Sequence, residues 1–287
     1  MAREFVELKA PTQRADGFGW FKYGLLLLVS WTLRCRYRIT TEGLEKIVQA
    51  HGPFLFLFEH VAQVDFALMG TALVSKWTQE NGAWLFPLFI GELQFAKPGL
   101  VLDFVRSCAL PVPANRFGRN ASLQIEQTLR EAVNQLKKGR SVALSPVGHL
   151  VRADGFTILK AQFGAAYILG EIQSGQATIV TVHFDGLFGS AFSRALTDQP
   201  PSYEILRLAI KAFLKGGFLL SRRRPVRICF QIRDLPIGKG AQPETVNPLL
   251  QKIFCQRQRP TYIPYHLFDP RGLDDLVKSA AKSGSLD

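Results

Sequence analysis

The stretch Phe54-Leu55-Phe56-Leu57-Phe58-Glu59-His60-Val61-Ala62-Gln63-Val64-Asp65 decides both the fold and the candidate chemistry of this chain. Its five consecutive apolar residues follow Gly52-Pro53 and predict a buried strand, which ends abruptly at a histidine. Because open α/β sheets carry their active sites beyond the carboxyl ends of their strands, His60 stands where a catalytic residue is expected. Residues five apart lie about 140° apart around a helix axis, so His60 and Asp65 cannot share a helix face. We therefore predict that His60 lies in the turn after the strand and Asp65 in the first turns of the next helix.

Strand and helix patterns alternate through most of the chain after residue 40. This alternation predicts an α/β fold with a mainly parallel sheet flanked by helices. The clearest helix follows Asn120, its expected N-cap, and stops at Gly139. Further strands are predicted at residues 85–90, 108–112, 141–144, 178–182 and 226–232, the last in an edge or half-covered position, and further helices at 163–169 and 245–255.

The most apolar stretch runs from Trp20 to Leu33. At about fourteen residues it is shorter than the roughly 20 that span hydrocarbon. Its aromatic and basic flanks are typical of a membrane-associating helix that lies in the interface, where Arg34, Arg36 and Arg38 would meet anionic headgroups. The alternative is a buried helix that covers the sheet.

Composition indicates one large globular domain. The chain has 287 residues, of which 47% are hydrophobic and 20% charged, so it can bury a substantial core and does not resemble a disordered protein. We divide it into an N-terminal amphipathic or interfacial helical segment at residues 1–39, an α/β domain at 40–265 and a C-terminal tail at 266–287.

The net charge of +12 indicates an anionic partner. The sequence has no zinc-binding Cys/His spacing, no aromatic RNA-binding signature and no arginine-dense helix, so we expect no nucleic acid and instead a membrane surface with anionic lipid. Four scattered cysteines without a CxxC pair indicate a reducing compartment, and the N-terminus lacks the layout of a signal peptide. The expected location is the cytoplasmic face of a membrane, with peripheral or monotopic attachment.

Two other polar groups are interpreted as structural. Arg222-Arg223-Arg224 reads more readily as a solvated charge patch that protects a sheet edge than as a ligand site. His183 and Asp185 alternate onto one strand face, but two ligands without a third do not predict a metal site.

The order of motifs resembles the glycerol-3-phosphate and lysophospholipid (1-acylglycerol-3-phosphate) acyltransferase family, in which a His-x4-Asp box (the HX4D motif) follows a core strand. The box is matched by residues 60–65. Residues 110–116, Leu-Pro-Val-Pro-Ala-Asn-Arg, are similar to the family's second block, and residues 145–152, Ser-Pro-Val-Gly-His-Leu-Val-Arg, stand in the place of its third. The strand at 179–182 stands in the place of the fourth. Four blocks in order are far more specific than the box alone.

The resemblance implies transfer of an acyl group from acyl-CoA or an acyl carrier protein to a hydroxyl group at a membrane face, without a metal or other cofactor. His60 would be the general base, since a histidine has a pKa near 6.5, and Asp65 would hold its tautomer and stabilise the imidazolium. Backbone N–H groups at the start of the helix after His60 would stabilise the oxyanion. Glu59 would raise the pKa of His60 as a neighbouring carboxylate. The alternative for His60 is a structural histidine at a strand end. Transfer of the acyl group to an amine instead of a hydroxyl group would use the same base.

The third block departs from the family pattern. Val147 and Leu150 replace a glutamate and an arginine, and His149 replaces a threonine. The apolar pair favours an uncharged or bulky acceptor over a small phosphate ester. It also leaves open a catalytically silent protein of this fold that binds lipid or an acyl carrier. The resemblance assigns acceptor binding to Arg116, Val147, Gly148, His149 and Arg152, the last in place of the missing cation. For His149, a structural histidine is the favoured alternative.

Overall fold

The computed structural model describes residues 17–50, 52–81, 86–92, 108–113, 119–151, 158, 162–172, 175–190, 192–193, 222–255, 261–264 and 268. Within these ranges, one seven-stranded sheet has helices packed on both faces. The predicted α/β fold with a mainly parallel sheet is confirmed. The predicted division at residues 40 and 266 stays a prediction.

The chain alternates between helices and strands along its length. The helices are α1 (Gly17–Arg36), α2 (Leu44–Gln49), α3 (Asp65–Asn81), α4 (Arg119–Lys137), α5 (Gly164–Glu171) and α6 (Pro243–Cys255). The strands are β1 (Tyr37–Glu42), β2 (Phe54–Phe58), β3 (Leu88–Glu92), β4 (Ala109–Val112), β5 (Val142–Leu144), β6 (Thr178–Asp185) and β7 (Arg224–Arg233).

The strand order places β2 at the centre of the sheet. The order is β1-β7-β6-β2-β5-β3-β4, and the five strands from β6 to β4 are parallel to one another. β7 is antiparallel to β6, and β1 is parallel to β7. Because β1 and β7 run in the opposite direction, they begin at the edge of the sheet where β2 ends. This topology sets the surroundings of His60.

The apolar run of β2 is buried on both faces of the sheet. Phe54, Phe56 and Phe58 face a core that includes residues of α2 and α3, whereas Leu55 and Leu57 face a core formed with α4, α5 and α6. All five are buried, and each contributes about 1.5–3 kcal/mol relative to exposure. A strand that is covered on both faces shows a continuous apolar run, which is why the sequence identified it.

Three local expectations from the sequence are corrected. Strand β1, which includes Thr40-Thr41-Glu42, pairs with β7, so the edge position predicted for β7 is wrong, whereas the half-covered alternative fits its exposed Arg227 and Gln231. Arg224 therefore protects no sheet edge, and its side chain is fully buried. Helix α4 starts at Arg119, so Asn120 lies in its first turn and not at the N-cap.

Helix α1 packs on α3 and β1 with one face and is exposed on another. Ser30 is buried and Leu33 packs against the core, which agrees in part with a covering helix. Leu27, Leu28 and Trp31 are exposed on the outer face. Among the described residues, no helix is long and apolar enough to cross a membrane. The expectation that Arg36 meets anionic headgroups is wrong, because its side chain is buried and donates to the carbonyl oxygen of Arg222. Membrane association of the rest of this segment stays a prediction.

Candidate active site

The His60 side chain points to Asp65 at the carboxyl end of the central strand. Its Nδ1 atom lies 3.2 Å from Oδ1 and 3.1 Å from Oδ2 of Asp65. The aspartate is the first residue of α3, and His60 lies in the turn that precedes the helix. The structure therefore confirms the predicted arrangement, with His60 in the turn after the strand and Asp65 in the first turn of the helix.

Backbone N–H groups hold the Asp65 carboxylate in place. Oδ2 accepts hydrogen bonds from the N–H of Val61 at 2.7 Å and of Ala62 at 3.1 Å, and Oδ1 accepts one from Phe66 at 2.8 Å. The carboxylate is completely buried, so these bonds replace the water that burial removed. They also occupy the N–H groups at the start of α3. The expectation that these groups stabilise an oxyanion is therefore wrong for Val61, Ala62 and Phe66.

The geometry fixes the tautomer of a neutral His60. Because both carboxylate oxygens are acceptors, the ring proton belongs on Nδ1, and Nε2 keeps its lone pair. The His60 side chain is 27% exposed, whereas that of Asp65 is 0% exposed. A base that is partly accessible and held by a buried carboxylate can take a proton from a hydroxyl group that reaches it.

An aromatic ring contacts the imidazole, and two further rings pack behind it on the α3 side of the sheet. The Phe58 ring meets the His60 ring edge-on, with centroids 6.0 Å apart. Phe89 of β3 packs against Phe58 at 6.3 Å and against Phe66 at 5.3 Å, and Phe66 is exposed. The sequence interpretation did not assign these rings to the site, because they come from three separate segments. Phe58 thus provides an apolar contact for the proton acceptor, and Phe66 extends this aromatic cluster to the surface.

The third-block segment packs directly against the turn that carries His60. The N–H of Val151 donates to the carbonyl oxygen of His60 at 2.7 Å. Val147 and Leu150 are buried, and Val147 belongs to the core on the α4 side of the sheet, so its side chain has no surface for an acceptor. Gly148 has a positive φ of 68°, which a tight turn requires. His149 is half-buried, with Nδ1 3.0 Å from the Leu150 carbonyl oxygen.

The structure brings only part of the proposed acceptor site together. Val147, Gly148 and His149 lie in the turn after β5, on the strand that neighbours β2. Arg116 and Arg152 lie outside the described residues. Their assignment to acceptor binding stays a prediction.

Glu59 does not pair with His60. Its side chain lies on the opposite face of the sheet, where Oε1 is 3.4 Å from Nδ1 of His183. The contact lacks hydrogen-bond geometry, and within the described part of the chain this buried ring nitrogen has no hydrogen-bond partner. The His183 ring also lies 5.0 Å from the ring of Phe254 in α6. Among the described residues, no group of three or more His, Cys, Asp or Glu side chains is arranged to hold a metal ion.

A buried arginine supports the loop between His60 and Asp65 from a distance. Arg224 donates to the carbonyl oxygens of Gly186, Phe188 and Ile263. The segment after β6 that it holds continues to Phe192, whose carbonyl oxygen accepts the N–H of Gln63 at 3.0 Å. The sequence gave no sign of this role, because the acceptors lie 36 to 39 residues away from Arg224.

The chain matches no protein-family model and no curated protein. Among solved structures, it is similar to the 1-acyl-sn-glycerophosphate (LPA) acyltransferase of Thermotoga maritima, with 15% identity and a TM-score of 0.48 over 85% of this chain and 82% of that chain. A similarity at that level does not bear on activity. The function of this chain must be inferred from its own site.

Proposed function

We propose that this chain is a membrane-associated acyltransferase that moves a fatty acyl group from acyl-CoA or an acyl carrier protein to a hydroxyl group of a lysophospholipid or another lipid-like acceptor. The observation that carries the proposal is the His60–Asp65 pair, a partly exposed imidazole whose Nδ1 is 3.1 Å from a buried carboxylate. Its place at the carboxyl end of the central strand and the resemblance to the acyltransferase blocks support the same conclusion.

In the proposed reaction, Nε2 of His60 takes the proton of the acceptor hydroxyl group while its oxygen attacks the thioester carbonyl carbon. Asp65 stabilises the imidazolium that forms. The tetrahedral intermediate then breaks its carbon–sulfur bond, and the imidazolium returns the proton to the departing thiolate. The products are an ester and a free thiol, so protons and electrons balance between the acceptor, the thioester and His60.

The described part of the third block favours an uncharged or bulky acceptor. Within residues 145–151, His149 is the one side chain that can carry a positive charge, and Val147 and Leu150 are buried. A small phosphate ester needs cationic or N–H partners to leave water. An acceptor with an apolar body would instead pack on the exposed ring of Phe66.

Helix α1 is proposed to attach the protein to the cytoplasmic face of a membrane. Its outer face exposes Leu27, Leu28 and Trp31, with side chains 44%, 56% and 57% exposed. Arg34 is exposed about one turn later in the same helix. An apolar face beside basic residues suits an interface with anionic lipid.

Thiol release by the purified full-length protein tests the proposal. Acyl-CoA and an acyl carrier thioester are each supplied with a panel of lysophospholipids and long-chain alcohols. We expect release with at least one pair, and a loss of about 10²- to 10⁴-fold in His60→Ala because the general base is removed. His149→Ala is the matched control, which should retain turnover and change the acceptor KM. Equal turnover in His60→Ala would contradict the mechanism.

A second candidate is a catalytically silent protein of this fold that binds lipid or an acyl carrier. The burial of both Val147 and Leu150 favours it, because the third block then offers little polar surface to an acceptor. It predicts that liposome binding persists while no thioester is cleaved with any acceptor. The thiol-release assay therefore separates the two candidates.

A further inference from the structure

Two exposed arginines directly precede β7, at the edge of the sheet that carries the candidate site. Because β7 runs opposite to β2, its first residues lie at the edge of the sheet where β2 ends. Arg222 and Arg223, which we call the arginine rim, are both exposed. No carboxylate of the described residues lies within ion-pair distance of either guanidinium. The rim is therefore a local positive surface at the catalytic edge.

Two buried arginines hold the backbone that carries the rim. Nη1 of Arg36, at the end of α1, donates to the carbonyl oxygen of Arg222 at 2.9 Å, and Arg36 is only 3% exposed. Arg224 is 0% exposed and donates to three backbone carbonyl oxygens. Hydrogen bonds of this kind offset the free-energy cost of burying a guanidinium group. The backbone below the two exposed side chains is thus fixed, which lowers the entropy lost when a ligand binds.

Strand register gives the distance from the rim to His60. Phe58 pairs with Val182 of β6, and Val182 pairs with Phe230 of β7. Arg224 precedes Phe230 by six residues, and His60 follows Phe58 by two. The start of β7 consequently lies ~13 Å beyond His60 along the strand direction and two strand spacings, ~10 Å, to the side. The straight-line separation is roughly 16 Å for Arg224, and about 19 and 22 Å for the backbone of Arg223 and Arg222, which lie one and two residues further along.

We propose that the arginine rim binds the phosphate at the far end of the pantetheine arm of the acyl donor. This inference rests on the proposed function, which brings the thioester carbon to His60. About thirteen bonds join the sulfur and the phosphorus of phosphopantetheine, which is the reach of about four extended residues, or ~15 Å. An extended arm from a thioester at His60 therefore ends short of the rim backbone, where the long side chains of Arg222 and Arg223 can reach its phosphate. Guanidinium groups match phosphate in charge and in planar, two-point geometry.

Equilibrium binding of non-cleavable donors tests the site without requiring turnover. The probes are an S-alkyl-CoA thioether, which has the phosphates, and the matching S-alkyl-pantetheine, which has none. The double variant Arg222→Gln/Arg223→Gln should weaken binding of the CoA probe by about 10- to 100-fold and leave the pantetheine probe unchanged. Lys137→Gln/Lys138→Gln is the matched control. It removes the same charge from exposed positions at the end of α4, ahead of the start of β5 at the opposite edge, and should change neither affinity.

Steady-state kinetics of thiol release, measured without vesicles, separate this inference from the proposed function. The rim variant should raise the KM for acyl-CoA by a similar factor and leave kcat unchanged. A raised KM with an acyl carrier thioester would identify the carrier-bound arm as a second source of the same phosphate. Equal weakening of both thioether probes, or no weakening of the CoA probe, would overturn the inference even if thioesters are cleaved. Absence of turnover with rim-dependent CoA binding would instead contradict the proposed function alone.

Discussion

Replacement of Asp65 by asparagine separates the catalytic role of this residue from its structural role. The carboxylate accepts N–H groups from Val61 and Ala62 on one oxygen and from Phe66 on the other. Asparagine has almost the same shape but one oxygen, so its NH₂ group must face at least one of these donors. One or two buried N–H groups then lose their acceptor, at a cost of about 1–3 kcal/mol. For a chain of this size, Tm should fall by about 3–9 °C.

The effect on turnover should be much larger than the effect on stability. Asparagine removes the negative charge that stabilises the His60 imidazolium, and its NH₂ group competes for Nδ1, which lies 3.1–3.2 Å from the two oxygens. An equivalent change in a hydrolase triad lowers kcat by about 10⁴-fold, so we expect a loss of about 10³- to 10⁴-fold in thiol release.

The assay pairs thiol-release kinetics with thermal unfolding followed by circular dichroism. His60→Ala is the control, because it removes the base and leaves Asp65 with its three backbone hydrogen bonds. It should lose activity to a similar extent with a smaller change in Tm. If Asp65→Asn kept more than about a tenth of the wild-type turnover, the orienting role assigned to Asp65 would be refuted. An unchanged Tm would refute the hydrogen-bond argument.

Three further changes test the supporting structure. Arg224→Met should lower the free energy of unfolding by at least about 3 kcal/mol in urea titrations, because three buried carbonyl oxygens lose a charged donor; a loss below about 1 kcal/mol would contradict the anchoring role. Gly186→Ala should destabilise much more than Gly175→Ala, since a Cβ at Gly186 would lie 2.2 Å from a backbone carbonyl oxygen, whereas Gly175, with a similar positive φ, has no described atom within 4 Å. Similar unfolding midpoints would refute this packing. Leu28→Asp should reduce co-sedimentation with anionic vesicles, whereas Leu123→Asp on the exposed face of α4 should not; equal binding of both variants would exclude α1 as the attachment surface.

The central strand and the dyad could be predicted because their signals are local. Five buried residues in β2 leave an unbroken apolar run, and helix geometry alone separates His60 from Asp65. At the start of α3, the Asp65 side chain accepts the N–H of Phe66 in the first turn and those of Val61 and Ala62 in the preceding loop.

The remaining features depend on contacts between distant segments. β1 is an edge strand with only Tyr37 and Ile39 turned to the core, so its sequence resembles a polar link and β7 resembles an edge. Arg224 has the sequence context of an exposed charge, and only the return of residues 186–188 and 263 supplies its acceptors. Glu59 likewise contacts His183, which lies in another strand. No local sequence pattern predicts contacts between residues that lie so far apart in the chain.

The most direct test of the central claim is mass spectrometry of the acylated products. The full-length protein is incubated with one isotopically labelled acyl thioester and a total lipid extract, alongside His60→Ala at the same concentration. The account predicts one class of labelled ester that forms with the wild-type protein and is absent with His60→Ala. No labelled ester with either protein, or equal amounts with both, would contradict acyl transfer by His60.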